Sequence, residues 1–189
     1  MSYAIIVHKE AFNVDGGPLA VGAIRNTFYA RKLTDMIVNE GNTTVAAFRP
    51  HNAAINANQF DLTPGVYRIT ADITICNYNN QELDSVDTRC GLFNVTSGDF
   101  EYYFGSTTEK ILSTSTMIRS RPGGGFPEAN ALCHMDALFN VTSVINSFEI
   151  RQAVTDGVSQ PTSTDVLGDK STCTQPAEYY AFIKILKMS

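Results

Sequence analysis

The stretch DLTPGVYRITADITI, residues 61–75, carries the clearest period-two pattern in the chain. After the turn dipeptide Pro64-Gly65, apolar and polar residues alternate. Because successive side chains of a strand point to opposite faces, the run predicts a strand with one buried and one solvated face. The predicted buried set is Tyr67, Ile69, Ala71, Ile73 and Ile75, and the predicted wet set is Arg68, Thr70, Asp72 and Thr74.

Similar strand signals run along the rest of the chain. The N-terminal twelve residues, 111–118, 131–141, 148–154 and 178–188 each predict a strand. The turn TSGD, residues 96–99, predicts a hairpin between strands at 89–95 and 100–104, with Gly98 at positive φ. The segment RKLTDMIVNEG, residues 31–41, is the one helix candidate and is also compatible with a strand.

The number of strand-like runs decides the fold class. About ten such runs separated by turns predict an all-β fold, an antiparallel β-sandwich of the jelly-roll type with about 8–10 strands. A length of 189 residues predicts a single domain over residues 1–189.

Composition narrows the classes of partner. Charged residues make up only 17% of the chain, which favours either a surface covered by a partner or a neutral β-protein surface. The net charge is −5 and the basic residues are scattered, so we expect no nucleic-acid partner. No apolar run approaches the ~18 residues of a spanning helix, and the N-terminus has no basic leader. We therefore expect folding in a cytoplasm and no membrane insertion.

The sequence offers no persuasive catalytic or metal-binding constellation. It lacks the nucleophile elbow, the paired-histidine zinc motif and the phosphate-binding loop, so we expect no enzyme and no cofactor. For the pairs Asp99 with Glu101 and Asp84 with Asp87, we favour solvated turn carboxylates over an acid–base pair or a calcium loop. The cysteines lie far apart, no pair has metal-site spacing, and buried thiols are expected: Cys76, Cys90, Cys133 and Cys173.

The final strand differs from the one at 67–75. In YYAFIKILKM, residues 179–188, strict alternation places apolar residues on both faces. One face could be covered by a loop of the same chain or by another subunit. We predict a subunit interface there, formed by Tyr180, Phe182 and Leu186.

Three long segments lack strand patterns. They are 77–88, 119–130 and 155–178, and loops of such length are usually functional or disordered. We predict that they contact partners. The candidate partner-binding residues are Arg121, Phe126, Asp165 and Lys170.

Several short motifs in fixed order resemble one family. They are NQFDLTPGVYRITADI, RCGLFNVTSG followed by FGST, MDALFNV with FEIRQAV, and a terminal IKILKM. Together they resemble the small jelly-roll domains of bacteriophage virion proteins, relatives in architecture of the trimeric complement globular-head and tumour-necrosis-factor-like folds. The chain departs from that family in having no tryptophan, with Ile24 and Leu186 at places where tryptophan is common. The resemblance favours a strand over a helix at 31–41.

The resemblance implies a homotrimer located in the virion, with a structural or binding role and no catalytic residues. We expect the first strand to begin by Tyr3 and to leave no N-terminal shaft, which favours decoration or cementing of the capsid. Its partners would be the major capsid protein or tail components. The alternative is a tail-fibre or tail-associated protein that attaches to a host glycan, and a sugar-binding or signalling module outside any virus is a third class.

Overall fold

The computed structural model describes residues 1–11, 27–42, 44–52, 57–77, 85–101, 113–118, 129–142, 144–154, 165–166 and 177–189. Nearly all of these residues lie in strands, apart from turns and a 3-10 turn at Glu40–Asn42. The strands are β1 Ser2–Ala11, β2 Tyr29–Ala30, β3 Asp35–Asn39, β4 Ala47–Asn52, β5 Ala57–Leu62, β6 Gly65–Asn77, β7 Ser85–Asn94, β8 Asp99–Phe100, β9 Ser113–Ile118, β10 Ala129–Val141, β11 Asn146–Val154, β12 Asp165–Val166 and β13 Ala177–Lys187.

The strands form two antiparallel sheets. The six-stranded sheet has the order β10-β6-β13-β1-β3, with β12 also paired to β6. The seven-stranded sheet has the order β4-β5-β11-β7-β8, with β2 paired to β11 and β9 paired to β7. The chain crosses between the sheets from β5 to β6, from β6 to β7 and from β10 to β11, as a jelly roll does. The predicted fold class is confirmed. Three of the thirteen described strands, β2, β8 and β12, have only two residues, and the other ten are longer. The sequence predicted about 8–10 strands.

The core fills the space between the sheets, and β6 shows how the sequence places it there. Tyr67, Ile69 and Ile73 are fully buried, whereas Arg68 and Asp72 on the other face are exposed. The predicted alternation is therefore confirmed over the residues whose burial is described. Each fully buried side chain of this size contributes about 1.5–3 kcal/mol.

A row of aromatic rings connects the two sheets through the core. Phe148 of β11 lies 6.0 Å from Phe60 and 5.4 Å from Phe139 between ring centroids. Tyr67 continues the row, with its ring centroid 6.1 Å from that of Phe139. Such ring pairs add to the burial energy, so this row fixes how the sheets face each other.

In the ambiguous segment at 31–41, Asp35–Asn39 form strand β3 and Glu40–Asn42 form the 3-10 turn that follows it. Met36 of β3 pairs with Ile6 of β1 and packs against the core, and Leu33 just before it is fully buried. β3 pairs with β1 at the edge of the six-stranded sheet, and this pairing outweighs the helical spacing of the apolar residues in the segment. The predicted turn at 96–99 is also present, joining β7 to β8 with Gly98 at a φ of 75°.

Candidate assembly site

Exposed apolar side chains gather on the outer face of the six-stranded sheet. Tyr3 is 37% exposed, Ile37 is 48% exposed and Phe182 is 40% exposed. Ile5 and Leu186 are half-buried beside them. Tyr3 lies opposite Leu186 and Val7 opposite Phe182 across β1 and β13, and the exposed Lys184 lies between these pairs, opposite Ile5. We name Tyr3, Ile5, Ile37, Phe182 and Leu186 the assembly face.

Charged pairs border the assembly face on β6 and β10. Arg68 donates to both carboxylate oxygens of Asp136, from Nε at 2.9 Å and from Nη2 at 2.6 Å. These hydrogen bonds and the charge of Arg68 hold the pKa of Asp136 below its ordinary value. His134 Nδ1 lies 2.8 Å from Asp72 Oδ1. Exposed pairs of this kind contribute at most about 1 kcal/mol, so their main effect is to frame the apolar surface with polar groups.

The outer face of the seven-stranded sheet is different, since its polar groups bind one another. Arg49 donates to both oxygens of Asp61 and, at 3.0 Å, to Ser147 Oγ. Ser147 Oγ in turn donates to Asp61 at 2.6 Å. Burial raises the pKa of Asp61, but the hydrogen bonds from Arg49 and Ser147 outweigh burial and leave it lowered.

A second group of hydrogen-bonded polar side chains lies on the same face of the seven-stranded sheet. Glu149 accepts from Gln59 Nε2 at 2.9 Å and from Arg151 Nε at 3.0 Å. The Arg151 guanidinium lies 3.3 Å from the ring centroid of Phe93, which it covers. The two outer faces therefore differ in character. Further exposed apolar residues lie at the turn between β10 and β11 and near the ends of β1 and β13: Met1, Val144, Ile145, Tyr179 and Met188.

The structure places two of the three predicted interface residues on the assembly face. Phe182 and Leu186 point outward from β13, but Tyr180 is only 5% exposed. The predicted position of Tyr180 on the face of Phe182 is wrong. The register shifts between His8 and Lys9, so that Ala181 pairs with His8, Tyr179 pairs with Lys9, and Tyr180 falls on the bulge. A bulge breaks strict alternation, and the sequence alone did not reveal it.

The predicted partner-binding residues fall mostly outside the described structure. Asp165 lies in the two-residue strand β12, whose backbone pairs with β6 opposite Asn77. Arg121, Phe126 and Lys170 lie outside the described residues. Their partner-binding role stays a prediction.

A buried polar cluster lies inside the sandwich where β1 meets β13. Arg31 is completely buried and donates to Gln152 Oε1 at 3.1 Å, to the Tyr180 carbonyl at 2.8 Å and to His8 Nδ1 at 3.3 Å. His8 is also fully buried, and its Nε2 lies 3.1 Å from Glu10 Oε1. Because Arg31 donates to Nδ1, the neutral ring carries its proton on Nε2 and donates it to Glu10.

Burial dominates the electrostatics of this cluster. Desolvation, with the nearby charges of Arg31 and Lys32, lowers the pKa of His8 to about 2. Desolvation likewise lowers the pKa of Arg31 to about 9, which leaves the guanidinium charged at neutral pH. The cluster was missed at the level of sequence, although one signal was present. Gln152 alternates with Ile150 and Phe148 and therefore takes an inward position in β11.

Two cysteines lie next to this cluster. Cys90 and Cys133 are fully buried, as expected for cysteine, and their Sγ atoms are 2.7 Å apart. Among the described residues, no group of three or more His, Cys, Asp or Glu side chains could hold a metal ion. The described part of the chain also contains no helix long and apolar enough to cross a membrane.

Comparisons with known proteins yield similarity of structure only. No protein-family model matches the sequence, and no curated protein matches it. The globular domain of zebrafish complement 1qA protein is 8% identical with a TM-score of 0.43, over 100% of this chain and 97% of that one. Murine APRIL is 8% identical with a TM-score of 0.44, over 99% of this chain and 98% of that one.

Proposed function

We propose that this chain is a non-enzymatic virion protein of a bacteriophage that assembles as a homotrimer and decorates or cements the capsid. The observation that carries the proposal is the assembly face, an apolar surface on one side of the sandwich. The virion location and the number three rest on the sequence motifs that resemble phage jelly-roll domains. The proposed location is the surface of the virion, after synthesis in the host cytoplasm.

The assembly face contains the kind of side chain that interfaces favour. Aromatic residues are enriched at interfaces, and Phe182 and Tyr3 supply aromatic rings here, with one charged residue, Lys184, between Phe182 and Leu186. An aromatic side chain has about 150–250 Å² to bury, so the exposed part of Phe182 is roughly 80 Å². At about 25 cal/mol per Å², covering it contributes roughly 2 kcal/mol per copy. Several such residues per protomer can offset part of the cost of association.

The trimer is tested by sedimentation equilibrium at micromolar concentration. We expect a mass of three chains of 20.7 kDa, about 62 kDa in all. Phe182→Lys is expected to shift the mass toward the monomer and to leave the circular dichroism spectrum unchanged. Val144→Lys is the matched control, because Val144 is 71% exposed and lies outside the assembly face. A wild-type monomer at all concentrations, or equal dissociation of both variants, would refute assembly through this face.

The role on the virion is tested by adding the purified protein to particles that lack it. We expect binding to capsids, seen as added density by electron microscopy, with few copies on tails. Binding to tails instead, together with blocking of phage adsorption to host cells, would replace the decoration role with attachment to a host glycan. Binding to neither part of the particle would remove the virion proposal, whatever the oligomeric state.

A further inference from the structure

The two buried cysteines come from opposite sheets. Cys90 belongs to β7 in the seven-stranded sheet and Cys133 to β10 in the six-stranded sheet. Both side chains point into the core, where neither has any exposed surface. A bond between their sulfur atoms would join the two layers of the sandwich directly and close a loop between positions 43 residues apart.

The distance between the two sulfur atoms is close to a bonding distance. The Sγ atoms are 2.7 Å apart, and a disulfide of about 2.05 Å requires them to approach by only ~0.7 Å. We propose that Cys90 and Cys133 form a disulfide inside the sandwich that links the two sheets. This proposal is independent of the assembly face and of the virion role.

Cys90 lies next to the buried polar cluster that contains Arg31. Cys90 pairs with Gln152 across β7 and β11, and Gln152 accepts a hydrogen bond from the Arg31 guanidinium. Desolvation lowers the pKa of Arg31 to about 9, and the Coulombic interaction with Cys90 acts in the opposite direction, as an attraction between the guanidinium and a thiolate does. A nearby cation favours the thiolate, and the thiolate is the nucleophile in disulfide exchange.

The reaction requires a small-molecule disulfide as oxidant, for example oxidised glutathione. The thiolate of one of the two cysteines attacks one sulfur of the oxidant, forms a mixed disulfide and releases one thiolate of the oxidant. The thiolate of the other cysteine then attacks the cysteine sulfur of the mixed disulfide and releases the second thiolate. Each cysteine loses one proton and one electron, and the oxidant gains two protons and two electrons to become two thiols.

Burial decides when the bond can form. A sulfur with no exposed surface is out of reach of the oxidant in the folded protein, so the exchange occurs during folding or local opening. In a reducing cytoplasm both residues stay thiols, whereas oxidising surroundings outside the cell allow the disulfide. Once formed and enclosed, the bond is equally protected from reductants.

The direct test is a peptide map of the full chain refolded in a glutathione redox buffer. Trypsin separates the four cysteines into different peptides, because Arg or Lys residues lie between each consecutive pair. After alkylation of remaining thiols in denaturant, we expect the peptides with Cys90 and Cys133 to be cross-linked until reductant is added. Alkylation of both residues after refolding, or a cross-link from either of them to Cys76 or Cys173, would overturn the proposal.

A stability measurement provides the second test. In a Cys76→Ser, Cys173→Ser background, the chain reduced in denaturant and refolded with reductant should have a Tm roughly 10 °C below that of the oxidised chain, as expected for a loop of this length. Adding Cys133→Ala should abolish the response to reductant. The same response with and without Cys133 would refute the bond. If the variants fail to fold, the peptide map of the wild-type chain still decides.

Discussion

The neutral, buried His8 makes the protein sensitive to mild acid, and the size of the effect follows from its environment. Desolvation is the largest cause of its low pKa, followed by the charge of Arg31. A proton on Nδ1 would also oppose the N–H of Arg31, which now donates to that atom. The folded chain therefore holds His8 neutral down to a pH of about 2, whereas the unfolded chain protonates it near 6.5.

The sign and the magnitude follow by linkage. As pH falls below 6.5, the unfolded state takes up a proton that the folded state does not, so the free energy of unfolding falls. Between pH 7 and pH 5 the loss from His8 is about 2 kcal/mol. Asp61 and Asp136 contribute little in this window. Their folded pKa values lie below the ordinary value of 3.8, so the stability that they provide is lost only in stronger acid.

Urea unfolding at several pH values and one fixed protein concentration measures this loss. His8→Gln supplies a side chain that can donate to Glu10 and accept from Arg31 without titrating. We expect its loss between pH 7 and pH 5 to be about 2 kcal/mol smaller than that of the wild type. His134→Gln is the control, because it also removes a histidine, one whose side chain is 60% exposed. An unchanged slope in His8→Gln would refute the reasoning.

Two further predictions concern the turn that opens β6 and the aromatic row in the core. Gly65 has a φ of 153°, and a Cβ there would overlap the Ser189 carbonyl and lie 2.8 Å from Lys187 Cε. Gly98 also has positive φ, but a Cβ there would meet nothing within 4 Å. Thermal unfolding should show Gly65→Ala losing ~2 kcal/mol or more and Gly98→Ala ~1 kcal/mol, and equal losses would show that the close approach is unimportant. Phe148→Ala should cost ~3–5 kcal/mol by urea unfolding, and a loss below ~1 kcal/mol would show that the core row relaxes freely.

The sequence predicted those strands that have one face toward the core and the other toward solvent. In β6 and β10 one face meets the core and the other meets water, so period two appears directly in residues such as Tyr67 with Arg68 and Met135 with Asp136. The jelly-roll class followed from the number of such runs. The pairing order of the strands did not, because alternation records burial and not the identity of the neighbouring strand.

The candidate site was predictable only in part, for the same physical reason. Phe182 and Leu186 point outward from a strand that has apolar residues on both faces. That pattern in the sequence predicted an apolar outer face. Tyr3 and Ile37 come from distant parts of the sequence, and only the pairing of β1 with β13 and β3 brings their strands together. The bulge at Tyr180 depends on how β1 and β13 align, which no local pattern records.

That bulge also explains how one strand serves both the interior and the assembly face. At the bulge, Tyr180 turns inward, with its ring centroid 5.5 Å from that of His8 and its carbonyl accepting from Arg31. Before Leu186, Phe182 stays outward, opposite Val7, where it can meet another molecule. Without the extra residue, strict alternation would place the Tyr180 side chain on the same side as Phe182. The irregular register of β13 therefore gives Tyr180 to the interior of the protomer and leaves Phe182 on the assembly face.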